Sequence, residues 1–150
     1  MSTEEDLFAF LHSIMKKKRK IMEHELYPLG MSHAEMRLLI MIYRSDGCSQ
    51  DDLVSNLEVD RSNVGRALKK LERMDYIHRT RDTHDGRAFR VFLTAKGWAV
   101  RDQLSQIRNN LRTTFTLGIS EQELGILTGL LKKVDQNLTE ETYLKIKQAQ

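Results

Sequence analysis

Arg61, Ser62, Asn63, Arg66, Lys69, Lys70 and Arg73 crowd into thirteen consecutive residues. Between them they carry guanidinium, hydroxyl, amide and ammonium groups. These are the groups that recognise a nucleic-acid duplex: arginine pairs with guanine, asparagine with adenine, and serine with either. Lysines hold phosphates, which position a protein without reading sequence. On a helix advancing ~100° per residue, turning Val64, Leu68 and Leu71 inward sends Ser62, Arg66, Lys69 and Arg73 outward. Arg61, Asn63 and Lys70 flank that face. The expected chemistry is hydrogen bonding to base edges near the start of the helix and to phosphates further along.

A second basic cluster follows at once. Arg81, His84, Arg87 and Arg90 bracket the turn pair Asp85-Gly86, between two stretches rich in aromatic and β-branched residues, Tyr76–Arg81 and Phe89–Leu93. The pattern predicts a hairpin whose cations face a minor groove or its phosphates. Asp85 stands two residues before Arg87, and an ion pair between them would brace the loop. Asp82 is a competing acceptor. An isolated Lys/Arg-rich helix is usually only solvated surface, but one running straight into a basic hairpin is a duplex-reading arrangement. From Asp60 to Lys96, ten Lys/Arg oppose five Asp/Glu, a local charge of +5 in a chain of net charge +3. A basic centre between neutral or acidic flanks suits a polyanion.

The elements that hold these groups are announced by caps. Ser32–Glu35, Ser49–Asp52 and Ser120–Glu123 each set a serine three residues before a carboxylate. In that spacing the serine oxygen accepts an orphan amide while the carboxylate reaches back. Asp60 and Thr94 are expected to cap two further helices. The first helix runs from about Glu5 to Tyr27, until Pro28 and Gly30 end it. A second follows Ser32, with Met36, Leu39, Ile40 and Tyr43 inward. A short third covers Gln50 to Leu57, anchored by Leu53, Val54 and Leu57. The fourth starts after Asp60. A fifth begins near Ala95, carries Trp98, Val100, Leu104, Ile107, Leu111 and Phe115, and breaks at Gly118. A sixth starts after Ser120 and continues to about Lys147, spanning roughly 38 Å.

The chain has 150 residues and a single proline, enough for one domain or two small intertwined ones. No apolar run approaches the ~20 residues that cross a bilayer. One cysteine, Cys48, rules out an intrachain disulfide, fits a reducing cytoplasm, and reads as inert filler rather than a redox sensor. The five histidines lack metal-ligand spacing, so neither metal nor other cofactor is expected. Cys48 has no evident histidine partner in sequence, and no glycine-rich loop follows a strand, so an enzyme is not expected. The run Lys16–Lys20 reads as a solvated face of the first helix, with an anionic effector or flanking DNA as alternative contacts. In the last helix Leu124, Leu127, Leu131, Val134 and Leu138 form one stripe, while Ile126 and Leu130 begin another. Apolar faces on more than one side need a second chain to cover them, which predicts a homodimer. Gly125 and Gly129 are expected to admit a neighbouring helix.

The segment from Asp82 to Gly97, DTHDGRAFRVFLTAKG, resembles the wing signature of the multiple antibiotic resistance regulator (MarR) family. Val64, Leu68, Leu71, Glu72, Ile77 and Arg79 resemble that family's recognition helix and first wing strand. The resemblance covers nearly the whole chain, since helix number and order match. It implies a mainly α fold with a small β-hairpin wing, a winged helix-turn-helix flanked by long dimerisation helices. Residues 31–94 would form the DNA-binding region, and 1–30 with 95–150 the helical dimerisation region. It also implies a cytoplasmic transcriptional regulator: a homodimeric, ligand-responsive repressor on a pseudo-palindromic double-stranded operator. The rival function is a winged-helix module that recruits an acidic protein partner. An aromatic or anionic effector would sit near His12, Met15, Arg37 and Tyr43. Gly86 stands where many members carry arginine, which leaves Arg87 to serve as both brace and grip.

Overall fold

The computed structural model describes residues 2–57 and 60–149. Its helices are α1 (Thr3–Leu26), a 3-10 turn (Tyr27–Leu29), α2 (His33–Arg44), α3 (Gln50–Leu57), α4 (Arg61–Arg73), α5 (Ala95–Ala99), α6 (Arg101–Thr116), α7 (Glu121–Asn137) and α8 (Glu140–Gln148). Three strands interrupt them: β1 (Cys48–Ser49), β2 (Ile77–Arg81) and β3 (Phe89–Leu93). The chain forms two compact units, residues 1–108 and 109–150. No helix among the described residues is long and apolar enough to cross a membrane.

In the first unit, the expected serine caps form. Ser32 Oγ accepts the Glu35 N–H, and the Glu35 carboxylate accepts the Ser32 N–H at 2.7 Å. Ser49 and Asp52 make the same reciprocal pair at the start of α3. A further box, Ser2–Glu5, starts α1; it has the same spacing and was legible in the sequence. Asp60 behaves differently from expectation. It precedes α4 but makes no side-chain cap, because its carboxylate instead accepts the Ser62 hydroxyl at 2.5 Å.

Leu38, Leu39 and Ile42 of α2, Leu53 of α3, Val64, Leu68 and Leu71 of α4, and Ile77 and Val91 of the sheet are almost fully enclosed. Ile40 and Tyr43, expected inward, are half-buried; Leu38 and Ile42 take the innermost places. The side chain of Leu57 lies outside the described residues. Leu104 and Ile107 of α6 complete this core.

The sheet is antiparallel with order β1-β3-β2. The hairpin pairs Ile77 with Leu93 and Arg81 with Phe89. On the other edge Cys48 pairs with Val91, a strand too short to be seen in the sequence. Cys48 is buried there, and burial followed by the nearby Asp52 charge pushes its thiol pKa up, which suppresses the reactive thiolate.

The turn from α4 into β2 holds Asp75 at φ 61. The Tyr76 N–H reaches the Leu71 carbonyl and the Asp75 N–H reaches Glu72, so the orphan carbonyls of α4 are closed by a left-handed cap. The segment Thr94-Ala-Lys-Gly97 locks onto that cap. Thr94 Oγ1 donates to the Asp75 carbonyl and accepts the Gly97 N–H. Lys96 Nζ donates to the Met74 carbonyl and lies 4.5 Å from the Tyr76 ring centre. Gly97 sits under the Tyr76 carbonyl, where a Cβ would come within 2.1 Å of the oxygen.

In the second unit, the single long helix expected after Ser120 is two. The Ser120–Glu123 box starts α7, but the chain leaves helical geometry at Leu138 and Thr139 caps α8 by accepting the Thr142 N–H. Threonine caps a helix without any carboxylate partner, so the break carries no capping-box signal. Neither α7 nor α8 has a buried residue among those described. Apart from the helix's own neighbouring backbone, no described residue lies within 4 Å of where a Cβ would stand on Gly125 or Gly129.

Candidate nucleic-acid interface

The face of α4 forms as the spacing predicts. Val64, Ala67, Leu68 and Leu71 are buried, while Arg61, Ser62, Asn63, Arg66, Lys69 and Arg73 are exposed. Arg66 donates to the Asn63 side-chain carbonyl, so these two exposed side chains hold each other. Arg61 pairs with Asp51 of α3 at 2.9 Å, both well exposed; such pairs contribute little stability and open readily. Lys70 departs from the set. Its Nζ donates to the Glu35 carboxylate at 2.9 Å, turned back toward α2 and away from the outward face. Glu35, at 5 % exposure, was seen in the sequence only as a cap.

The hairpin places its cations as follows. The His84 and Arg87 side chains are exposed near the tip. Arg81 Nη1 donates to the Gly86 carbonyl at 2.9 Å. Arg79 and Arg81 both lie within 6 Å of the Phe89 ring centre. The expected Asp85–Arg87 ion pair is replaced. Asp85 accepts the Arg87 backbone N–H at 3.0 Å, an Asx turn that consumes the carboxylate locally. The ion pair joins Asp82 to Arg90 at 2.7 Å. Arg90 also donates to the Gly47 carbonyl at 3.0 Å, which ties the wing to the turn before α3. Asp82 additionally accepts the N–H groups of His84 and Asp85. The His84 N–H, then the Arg90 guanidinium, hold its carboxyl below the usual range. Arg90 is therefore a brace, not the freely extended groove cation expected, and Arg87 is released for contact outside the loop. The hairpin register that brings Asp82 and Arg90 together could not be fixed from sequence, because either aspartate satisfies the same composition.

At the wing's base Glu72 accepts from Arg79 Nη2 at 2.7 Å, from Arg79 Nε at 3.1 Å and from the Arg79 backbone N–H at 3.2 Å. This latch couples the last turn of α4 to β2, so helix and wing are fixed to one another. In the sequence, Glu72 and Arg79 stand out only through the family resemblance, since their pairing depends on how β2 folds back on α4.

The four residues expected around an effector do not converge. His12 and Met15 line a cavity of about 1030 Å³ with parts of α1, the 3-10 turn and the start of α2. Tyr43 instead lines a cavity of about 150 Å³ with Arg44, Arg101 and Arg108. Its hydroxyl donates to the Gly97 carbonyl at 2.5 Å, and burial pushes its pKa up to about 12. Arg37 is exposed and is not among the residues lining either cavity. The basic run Lys16–Lys20 contributes Lys16, Lys18 and Arg19 to the larger one.

Comparison with known proteins agrees with this geometry. Residues 31–89, from the loop before α2 to the first residue of β3, match the model of the MarR family. An uncharacterised HTH-type transcriptional regulator of Bacillus subtilis, YybA, is 26 % identical over 89 % of this chain and 89 % of its own length. A MarR transcriptional regulator from Methanosarcina mazei superposes with a TM-score of 0.74 at 26 % identity, over 89 % of this chain and 97 % of that one. A mutant MarR from E. coli, crystallised with operator DNA, superposes with a TM-score of 0.75 at 28 % identity, over 86 % of this chain and 93 % of that one. With α4 latched to a wing and these relatives along its length, the chain is similar to the MarR family of winged helix-turn-helix transcriptional regulators, over residues 31–89 in sequence and over most of its length in fold.

Proposed function

We propose that this protein is a homodimeric, ligand-responsive repressor that grips a pseudo-palindromic operator. The observation that carries the reading is the outward face of α4, with Ser62, Asn63, Arg66, Lys69 and Arg73 exposed, held beside a basic wing by the Glu72–Arg79 latch. Each protomer sets α4 in a major groove, with Arg66 and Asn63 releasing each other to meet base edges. Arg87 and His84 approach the neighbouring minor groove, and Lys69 and Arg73 hold phosphates. The crystallised E. coli relative in complex with operator DNA supports this mode.

The second copy is inferred from uncovered apolar surface. Phe8 and Phe10 of α1, Ile126 and Leu130 of α7, and Tyr143 of α8 are each more than half exposed. Surface of that kind is normally covered. Two-fold symmetry then sets half-sites about one helical turn apart, ~10 bp or ~34 Å. Ligand response is supported by the cation-rimmed cavity beside α1.

Selection of duplexes from random sequence, followed by gel shifts at fixed salt, tests the reading. A pseudo-palindrome is expected, and Arg66→Ala is expected to cost roughly 1–3 kcal/mol and relax one base preference per half-site. Uniform weak binding to every duplex would instead favour an acidic protein partner. Reporter output from a promoter overlapping the site should rise when the gene is deleted; a fall would make the protein an activator.

A further inference from the structure

A groove of about 890 Å³ runs along α4 and carries both signs of charge. Arg66, Lys69, Lys70, Arg73 and Arg79 supply its cations. Its carboxylates, Glu35 and Glu72, each engage one of them: Glu72 holds Arg79 at 2.7 Å and Glu35 holds Lys70 at 2.9 Å. Arg66, Lys69 and Arg73 face solvent. The two engaged cations differ in kind. The Arg79 side chain is 16 % exposed and belongs to the latch on β2. Lys70 is 40 % exposed and sits on α4 itself, directly after Lys69.

Glu35 is anchored where it stands. Its side chain is only 7 % exposed. The oxygen that accepts Lys70 also accepts the Ser32 N–H at 2.7 Å, so the start of α2 fixes the carboxylate. Taking the lysine away would leave that carboxylate buried without a cation, which costs far more than opening a pair on the surface. The Arg61–Asp51 pair, with both side chains more than half exposed, is of the second sort. A phosphate competing for Lys70 must therefore meet the cost of stranding Glu35. A phosphate approaching Lys69 or Arg73 meets no such cost.

We propose that Glu35 keeps Lys70 off the DNA backbone and so limits the protein's sequence-independent affinity for duplexes. A lysine on a phosphate releases counterions and strengthens binding to every duplex alike, without reading a base. Holding one such lysine back lowers that general affinity and makes binding less steep in salt, while Asn63 and Arg66 keep their access to base edges. Glu35 is thus a positioning residue that acts through Lys70. The inference rests on the DNA-binding reading above.

The test is the salt dependence of binding to a scrambled duplex of the operator's composition, followed by fluorescence anisotropy from about 50 to 200 mM salt. Glu35→Gln removes the charge but keeps an oxygen for the Ser32 N–H, as a capping box allows. It should steepen the slope of log K against log salt by about 0.9 and tighten binding about three- to tenfold near 100 mM salt. In a Lys70→Met background the same substitution should change the slope by less than about 0.3, because no lysine is left to release. Lys70→Met alone should leave the slope of the natural protein almost unchanged. No steepening in Glu35→Gln, equal steepening in both backgrounds, or a slope about 0.9 shallower in Lys70→Met would each overturn the proposal. The second of these would mark a bulk charge effect, and the third a lysine already on the backbone. Should Lys70→Met not fold, Glu121→Gln on α7 alters net charge equally and becomes the control. Its slope should match that of the natural protein, and a shift equal to that of Glu35→Gln would overturn the proposal. Failure of the DNA-binding reading is seen separately, as equal affinity of the natural protein for operator and scrambled duplex.

Discussion

Arg90 holds Asp82 at 2.7 Å with its Nε and the Gly47 carbonyl at 3.0 Å with its Nη1. One side chain on β3 thereby fixes both the wing loop and the turn that leads into α3. A planar guanidinium spans two acceptors in a way an ammonium cannot. Arg90→Lys is therefore expected to keep the charge but lower affinity for the selected operator by about tenfold, since charge-assisted bonds of fixed direction are lost. Gel shifts at constant salt measure this. An affinity equal to that of the natural protein would mean that the wing holds its shape without Arg90.

Gly97 makes a sharper prediction about stability. A Cβ there would stand 2.1 Å from the Tyr76 carbonyl oxygen, and both partners belong to rigid backbone. Gly97→Ala must push α5 away from the α4–β2 turn, breaking the contacts of Thr94 and Lys96 with Asp75 and Met74. The cost should be about 1–3 kcal/mol, as for overpacking elsewhere. Gly86, with nothing within 4 Å, is the control: Gly86→Ala should change unfolding free energy by less than about 0.5 kcal/mol. Urea unfolding of the two variants decides the matter.

The sequence exposed the parts that depend on local periodicity and hid those that depend on register. The outward set on α4 was legible because Val64, Leu68 and Leu71 dictate one face. The serine caps were legible because reciprocal hydrogen bonding needs a fixed spacing. The choice of Asp82 over Asp85 as the partner of an arginine was not, since it follows from which residues the strands place opposite one another. Lys70 was counted with the DNA-facing groups because its charge fits them. Its pairing with Glu35 spans thirty-five positions, a distance over which no local pattern speaks. The segment Thr94–Gly97 was recognisable as a signature, but its reason lies in a left-handed cap at Asp75.

That cap is itself a testable weakness. Asp75 adopts φ 61, a conformation that costs residues with a Cβ about 1 kcal/mol and costs glycine nothing. The α4 helix is closed by backbone groups, the Asp75 N–H on the Glu72 carbonyl and the Tyr76 N–H on the Leu71 carbonyl. Asp75→Gly should therefore stabilise the fold by about 0.5–1 kcal/mol, observed as a higher denaturation midpoint with an unchanged slope. A lower midpoint would mean that the carboxylate contributes more than the backbone strain removes.

The Glu72–Arg79 latch gives the fold a defined response to acid. Bonding to the Arg79 side chain, against a smaller opposing effect of burial, holds the Glu72 carboxyl below its ordinary value of 4.5. A carboxyl lowered in the folded state releases its proton more readily there than in the unfolded chain. Its stabilisation is therefore complete above the unfolded value and fades as pH falls through the folded one. Natural protein and Glu72→Gln should differ by a constant unfolding free energy above about pH 5.5, with the natural protein more stable, and converge as the pH falls through the lowered folded-state value. Because Arg79 carries its charge throughout, the convergence belongs to Glu72 alone. Urea titrations at a series of pH values measure the gap. A gap that persists undiminished in acid would show that the carboxyl is not the titrating group and that the latch holds by packing of Arg79 on Phe89.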